Sequence, residues 1–387
     1  MSYLPRQSKT HSNHALLVRH RGYELKENVI YPVSDEVEYY DPFSKMETGV
    51  LKEILGKDYV EVDFDVHTLF LNLNAKDPEQ IYRFVQNYGL LYNPLFMDEE
   101  LQKDLIHQYS LKQLRYRIGI FSNFYSEEEL FLISSIVNRG IYLKEFQQEI
   151  ARLRMVVELY RVIKEHDISI LTENTRFMLF YEYNLGHWTL QPVKDLLQHP
   201  KLKKKLTSIL SQIEKLHTNK KDFSRQQFES LLNDIDEIFS AIIDLKLEET
   251  FIEMCIVYLE AIMETGLKGV SPKISFDING SIDHTWIFSS LLAAIYFMVH
   301  QDFVAGKRYK HCKNPNCHHI FIAKAKNNNY CSPQCQTRAK TARERARKKA
   351  KAIHLYEQGR SIEEIARELK IEPERVRSWI NKYEADR

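Results

Sequence analysis

The chain has 387 residues, of which 44% are hydrophobic, 12% aromatic and 28% charged. That balance excludes a wholly disordered, collagen-like or disulfide-framework protein, and at ~100–200 residues per domain the length allows two or three domains. The formal charge of +1 conceals a division: residues 1–306 carry −11 and residues 307–387 carry +12, so an acidic body bears a basic tail, as expected of a protein with a polyanionic partner.

Met1 to His14 is polar and lacks the apolar run of a secretory signal, which predicts a cytoplasmic protein. Residues 1–30 read as weakly ordered. From Tyr59, Val60, Val62, Phe64 and Val66 alternate with Glu61, Asp63, Asp65 and His67, the pattern of a half-buried strand. Asp77-Pro78 then opens a helix carrying Ile81, Phe84, Val85 and Tyr88, and Gly89 closes it. Helical periodicity returns from Ser126 to Asp167, and further helices are predicted over about Pro192–Leu216, Arg225–Leu245, Glu248–Thr265 and Asp283–Val304. Arg176–Tyr183 reads as a strand and Gly266–Gly280 as a turn or loop. The longest apolar run, Trp286–Val299, has 14 residues. A bilayer needs ~20, so this is a buried helix and the reading includes no membrane partner.

Cys255 stands alone in an apolar helical pattern and reads as a small buried hydrophobe. The other four cysteines, Cys312, Cys317, Cys331 and Cys335, cluster. In a reducing compartment such a set holds metal rather than disulfides, and four thiolates complete the closed tetrahedral shell of a structural Zn2+. His311, His318 and His319 are spare donors that the four sulfurs make redundant. Lys313 to Asn316 turns between the first two ligands, Ile320–Ala323 forms a short strand, and Ser332-Pro333 opens a helix that places Cys335 in its first turn, where the helix dipole favours a thiolate. Lys310, Lys313 and Arg338 are placed to offset the negative charge of a four-thiolate centre.

After the last cysteine, Arg338, Lys340, Arg343, Arg345, Arg347, Lys348, Lys349 and Lys351 set eight cations against the single acid Glu344. A helix is predicted to run to about Gln358, with Ala339, Ala342, Ala346, Ala350 and Ile353 on one stripe and cations on its flanks and back. Such a helix suits phosphates. Gly359 then breaks it, Ser361 caps a second helix with Ile362, Ile365, Ala366 and Leu369 inward, and Lys370-Ile371 turns. Pro373 opens a third helix whose inner face is Val376, Trp379 and Ile380. Two short helices across a tight turn describe a helix-turn-helix, which offers Arg375, Arg377, Ser378, Asn381 and Lys382 to base edges or phosphates. Residues 359–387 hold seven basic and seven acidic side chains, so the electrostatic anchor must be the preceding finger and basic helix.

The run Arg308-Tyr-Lys-His-Cys312-Lys-Asn-Pro-Asn-Cys317, then Phe321, Tyr330-Cys331-Ser332 and Cys335-Gln336-Thr337-Arg338-Ala-Lys340, resembles the CGNR-type zinc finger that ends bacterial stress-induced transcription regulators of the ABATE type. In the body, Asp77-Pro78-Glu79 through Phe84 to Leu91 resembles that family's helix-turn, and Ser289 to Gly306 the helix that feeds its finger. The name-giving motif reads Cys-Gln-Thr-Arg here and the helix-turn-helix is an addition to the core pattern, which makes this a divergent branch. The resemblance implies a DNA-binding regulator with an N-terminal sensing domain.

For catalysis the body offers only Asp63, Asp65 and His67 on one predicted strand face and the Asp283-His284 pair, with no phosphate-cradling glycine loop, nucleophile elbow or His-Glu-x-x-His. The reading is therefore of a non-enzyme: a mainly α protein with minor β, organised as a helical regulatory or sensor domain (1–306), a four-Cys finger (307–340), and a basic helix with helix-turn-helix (341–387). Its expected cofactor is Zn2+ and its expected partner duplex DNA. The body is left open to a small-molecule or protein ligand and the chain to homodimerisation. The alternatives are an RNA-binding protein, or an adaptor or enzyme body localised by its tail.

Overall fold

The computed structural model describes residues 17–34, 36–44, 48–55, 65–91, 141–182, 198–218, 224–276, 282–317 and 319–385. They form a mainly α protein that divides into two compact units, Met1–Lys307 and Arg308–Arg387. No helix among the described residues is long and apolar enough to cross a membrane.

The first unit opens with short strands: β1 (Leu17–His20), β2 (Tyr23–Lys26), β3 (Val29–Pro32) and β4 (Val37–Tyr40). β1 pairs with β4 and β2 with β3, and β3 also takes the two-residue β5 (Ile141–Tyr142), all antiparallel. Glu27 and Asn28 both have positive φ, the backbone that a two-residue hairpin turn demands.

Helices α1 (Thr48–Leu55), α2 (Val66–Asn72) and α3 (Pro78–Tyr88) follow. α3 forms for the reasons read in its sequence: the Asp77 carboxylate accepts from the amides of Glu79 and Gln80, Pro78 occupies the first turn, and Gly89 ends the helix at φ 82°. Its Phe84 lies with Phe70 of α2 and Phe146 of α4 (Leu143–Glu165), ring centroids 5.4 to 6.4 Å apart, in a fully buried triad. Next, α5 (Glu173–Glu182), α6 (Pro200–Thr218) and α7 (Arg225–Asp244) pack on one another, and α8 (Glu248–Leu267) packs on both α4 and α9 (Leu291–Val304). At Gly266 of α8 an added Cβ would lie 2.3 Å from the Tyr296 ring of α9, so only glycine permits that approach. An antiparallel hairpin, β6 (Val270–Phe276) with β7 (Ile282–Phe288), links α8 to α9. Cys255 is fully buried in α8, as its surroundings suggested, and burial pushes its thiol well above the ordinary range.

The end of this unit is held by polar contacts from two helices. His67 Nε2 of α2 lies 2.9 Å from Asp302 Oδ2 of α9, both side chains buried, and Asp302 Oδ1 also receives the Lys307 ammonium at 2.5 Å. From α4, Tyr160 stacks on Phe303 with centroids 3.9 Å apart, and Lys164 Nζ donates to the Gly306 carbonyl at 2.7 Å.

Several local readings are corrected. Val66 and His67 begin α2 rather than continuing a strand, with Asp65 as the preceding extended residue, while residues 56–64 lie outside the described set. His67 faces the core, whereas Asp65 is exposed, and Asp63 lies outside the described residues. Arg176–Tyr183, rich in aromatics, falls largely in helix α5: Thr172 accepts the first amides, and Thr175, Leu179 and Phe180 bury at helical spacing, with Phe180 edge-on to Phe239 of α7. Within Gly266–Gly280, residues 270–276 are strand β6, and Pro272, which lacks an amide, is accommodated in a hairpin of only two strands. Asp283 to Phe288 is strand β7, because Ser289-Ser290 divides the apolar run and the Ser290 hydroxyl caps α9 at the Ala293 amide. Residues 17–30 form ordered strands, and residues 1–16 lie outside the described set. The same holds for Ser126 and for the first residues of the helix expected from Pro192.

Removing Asp302 takes a hydrogen-bond partner from the buried His67 ring and from the Lys307 ammonium, so Asp302→Ala should destabilise the full chain by about 1–3 kcal/mol. Chemical denaturation checks this, and a midpoint equal to that of the unmodified chain contradicts it.

Candidate metal centre and nucleic-acid interface

In the second unit β8 (Tyr309–His311) pairs antiparallel with β9 (Ile320–Ile322). The ladder is extended by Cys312 N to His319 O and Ala323 N to Arg308 O, each 2.8 Å. Between the strands the chain reverses at Asn314, whose side chain is buried and accepts from the Asn316 amide, while its carbonyl accepts from Cys317 N. Lys313 N donates to Asn329 O, tying this knuckle to the segment that supplies Cys331. Helix α10 (Pro333–Glu357) then starts where Ser332-Pro333 predicts, with the Ser332 hydroxyl accepting from the amide of Cys335.

These elements bring Cys312, Cys317, Cys331 and Cys335 together, the four Sγ atoms within 4.8 Å of one another. Cys317 and Cys331 sulfurs are 3.7 Å apart, and those of Cys331 and Cys335 3.5 Å. A disulfide needs ~2.05 Å. A tetrahedral ion ~2.3 Å from each sulfur sets them about 3.8 Å apart, so the spacing fits a zinc shell and all five cysteines of the chain are unbridged. The hydrogen bond between the Cys317 and Cys331 sulfurs pulls Cys317 down to about 5 and holds Cys331 far above the usual thiol range, and burial raises Cys312.

Two nearby side chains make further contacts. His319 is not among the clustered donors, but its Nδ1 lies 2.9 Å from the Cys317 sulfur. Burial pushes it down to about 4, so the ring is neutral and can donate a hydrogen bond that orients a ligand from outside the shell. Only its position two residues after a ligand could have signalled this. His318 lies outside the described residues. Lys310 donates to the carbonyls of Lys326 and Asn328, bracing the loop.

α10 continues without a break from the sulfur cluster to the last helices. Ala339 is buried at its start, and Ala352 and Leu355 at its end, whereas no residue from 340 to 351 is buried. Along the alanine stripe Ala339 is buried, Ala342 and Ile353 are half-buried, and Ala346 and Ala350 are exposed. Lys340, Arg345 and Arg347 are exposed, Lys348 and Lys349 half-buried, and none of them has an ion pair among the described residues. Arg343 donates to the Tyr330 hydroxyl at 2.8 Å, and Lys351 pairs with Glu368. Arg338 is exposed.

Gly359, at φ 82°, ends α10. α11 (Ile362–Leu369) starts with a capping box in which Ser361 and Glu364 satisfy each other's amides, and Lys370 closes it in the left-handed region. α12 (Pro373–Ala385) follows. Ala352, Leu355, Ile365, Ala366, Leu369, Val376 and Ile380 make one small core, with Ile353, Ile362 and Trp379 against it, as their spacing predicted. On the outside, Ser378, Asn381 and Lys382 are exposed. Arg375 lies over the Trp379 ring at 5.8 Å, and Arg377 is 3.8 Å from Glu363. Glu372 and Glu374 are exposed at the start of α12.

The four-sulfur set predicts one zinc per purified chain by elemental analysis, with Cys317→Ser dropping well below that. Metal must displace thiol protons, at least from Cys312 and Cys331, so zinc affinity should rise with pH across the neutral range. A chelator competition whose midpoint does not move with pH contradicts this.

The sequence model of the CGNR zinc finger matches residues 308–348, and that of a helix-turn-helix domain matches residues 348–387. No curated protein matches the chain. The two matches meet at residue 348, inside α10, so one helix serves both. From Arg308 onward this chain is a CGNR zinc finger followed by a helix-turn-helix domain.

Proposed function

We propose that the protein is a zinc-dependent transcription regulator of the bacterial type that its finger resembles, acting on duplex DNA in the cytoplasm. The observation that carries this reading is the bare span of α10: residues 340–351 hold seven cations and one acid, with a metal-binding finger at one end and a helix-turn-helix at the other. A metal ion held by the four cysteines fixes where the helix begins. Lys340, Arg343, Arg345, Arg347, Lys348 and Lys349, with Arg338, neutralise phosphates. Arg375, Arg377, Ser378, Asn381 and Lys382 of α12 face the major groove, where a recognition helix reads base edges, and the neutral charge of residues 359–387 assigns affinity to α10 and discrimination to α12.

The body, in this reading, senses rather than catalyses. Its ionisable pair, His67 with Asp302, is buried within the core, which suits a structural role. A small-molecule or protein ligand, or a second copy of the chain, would act through this unit.

The full zinc-loaded chain should bind mixed-sequence duplex with an affinity that falls steeply with salt, a log–log slope of roughly −5 for ~6 neutralised phosphates. Chelation should abolish binding and zinc restore it. A flat salt response would favour an adaptor whose tail only localises it, and a preference for single-stranded RNA would favour the RNA reading. Once bound genomic fragments have been selected, Asn381→Ala should cost about 1–3 kcal/mol of discrimination at the base pair it reads while leaving binding to unrelated duplex unchanged.

A further inference from the structure

The exposed side chains of α12 sort by helical phase. At about 100° per residue, Glu374, Ser378 and Asn381 fall within about 60° of one another on the side opposite the buried Val376 and Ile380, and Ala385 continues their row. Pro373, Arg377 and Glu384 lie to one side of this row, Arg375 and Lys382 to the other. Several of the flanking side chains are engaged: Glu384 accepts from the Tyr356 hydroxyl of α10, Arg377 is 3.8 Å from Glu363 of α11, and Arg375 rests over the Trp379 ring. The side chains of Glu374, Ser378 and Asn381 have no partner among the described residues.

The outward row thus begins with an acid, at the end of a recognition helix that contacts base edges. Within the protein a carboxylate in the first turn suits the helix dipole. Against a duplex it is repelled by every phosphate, and residues 359–387 hold no surplus of cations to mask it. What it can gain there is a hydrogen bond from a base. The major groove offers two donors, the amino groups of cytosine and adenine. Adenine sets its N7 acceptor beside the donor, where a carboxylate is repelled, whereas the cytosine edge carries the donor alone. Guanine and thymine present acceptors and reject the acid outright.

We infer that Glu374 is a specificity-determining residue that accepts a hydrogen bond from the amino group of a cytosine in the major groove. This rests on the DNA-binding reading above and adds what the leading position of α12 selects. At about 1.5 Å per residue, Asn381 stands about 10 Å further along the row, so the cytosine lies about three base-pair steps of about 3.4 Å from the pair that Asn381 contacts. The acid acts by exclusion as much as by attraction, because a wrong base leaves it facing acceptors with nothing to offset the repulsion. Glu372 provides the comparison. It is also exposed, but it belongs to the turn, where its backbone carbonyl accepts from the amides of Arg375 and Val376.

The experiment selects bound sequences from a random duplex library with the full zinc-loaded chain and with E374Q and E372Q. The unmodified chain and E372Q should fix the same cytosine. E374Q should lose it and accept adenine, because glutamine bonds adenine at N6 and N7. Changing that cytosine to adenine in the selected duplex should weaken the unmodified chain by roughly fivefold or more, and E374Q by less. A second measurement needs no variant to fold: N4-methylcytosine at that position keeps the base pair but removes the N–H that faces the groove, and should weaken binding by the unmodified chain. If E374Q selects the same sequence as the unmodified chain, if it alters only the thermal midpoint, if N4-methylation has no effect, or if the unmodified chain binds duplex without selecting any sequence, the assignment of Glu374 is overturned while DNA binding stands. If the unmodified chain binds no duplex, the DNA reading fails and this inference with it.

Discussion

The tail depends on the coordination of four sulfurs at the start of one helix. The cluster around the sulfurs is small: Phe321, Ala323 and the cysteines, with Tyr330 packed against them. Units this small need a cross-link or a metal to fold. Cys312 and Cys317 come from the knuckle after β8, and Cys331 and Cys335 from the entrance to α10, so an ion shared by them would join two segments that the Lys313 N to Asn329 O hydrogen bond also ties. His319 and the Ser332 cap hold this geometry from outside.

Much of the second unit was legible in the sequence because its signals are local. Cysteine spacing, Ser-Pro before a helix, Ser361 three residues before Glu364, Gly359 and Pro373 each act within a few residues and need no distant partner. The alanine stripe of α10 shows what such local signals leave open. Ala346 and Ala350 are exposed, since periodicity can mark which side a helix could bury but not whether anything comes to cover it.

The body was less legible, and for one reason. Arg176–Tyr183 has the composition of a strand, yet Phe180 finds its partner on α7, about sixty residues later, and that contact favours a helix. The alternating segment ending at His67 looked half-solvated, but Asp302, far along the chain, takes His67 into the core. Trp286 to Val299 looked continuous because apolar content alone does not separate a strand from the helix behind it; the division lies in Ser290, a capping side chain. Long-range burial decided these segments, and no window of local residues contains it.

The continuity of α10 has a consequence for how such a protein can change over generations. Each residue inserted or deleted between Ala339 and Ala352 swings the helix-turn-helix around the helix axis by about 100° relative to the finger, and shifts it by about 1.5 Å. Surface substitutions in this span leave that phase intact, but single-codon length changes throw the two modules out of step. Seven-residue steps, close to two whole turns, nearly restore the angle at the cost of about 10 Å in separation. The span therefore behaves as a toothed coupling: tolerant in composition, discrete in length.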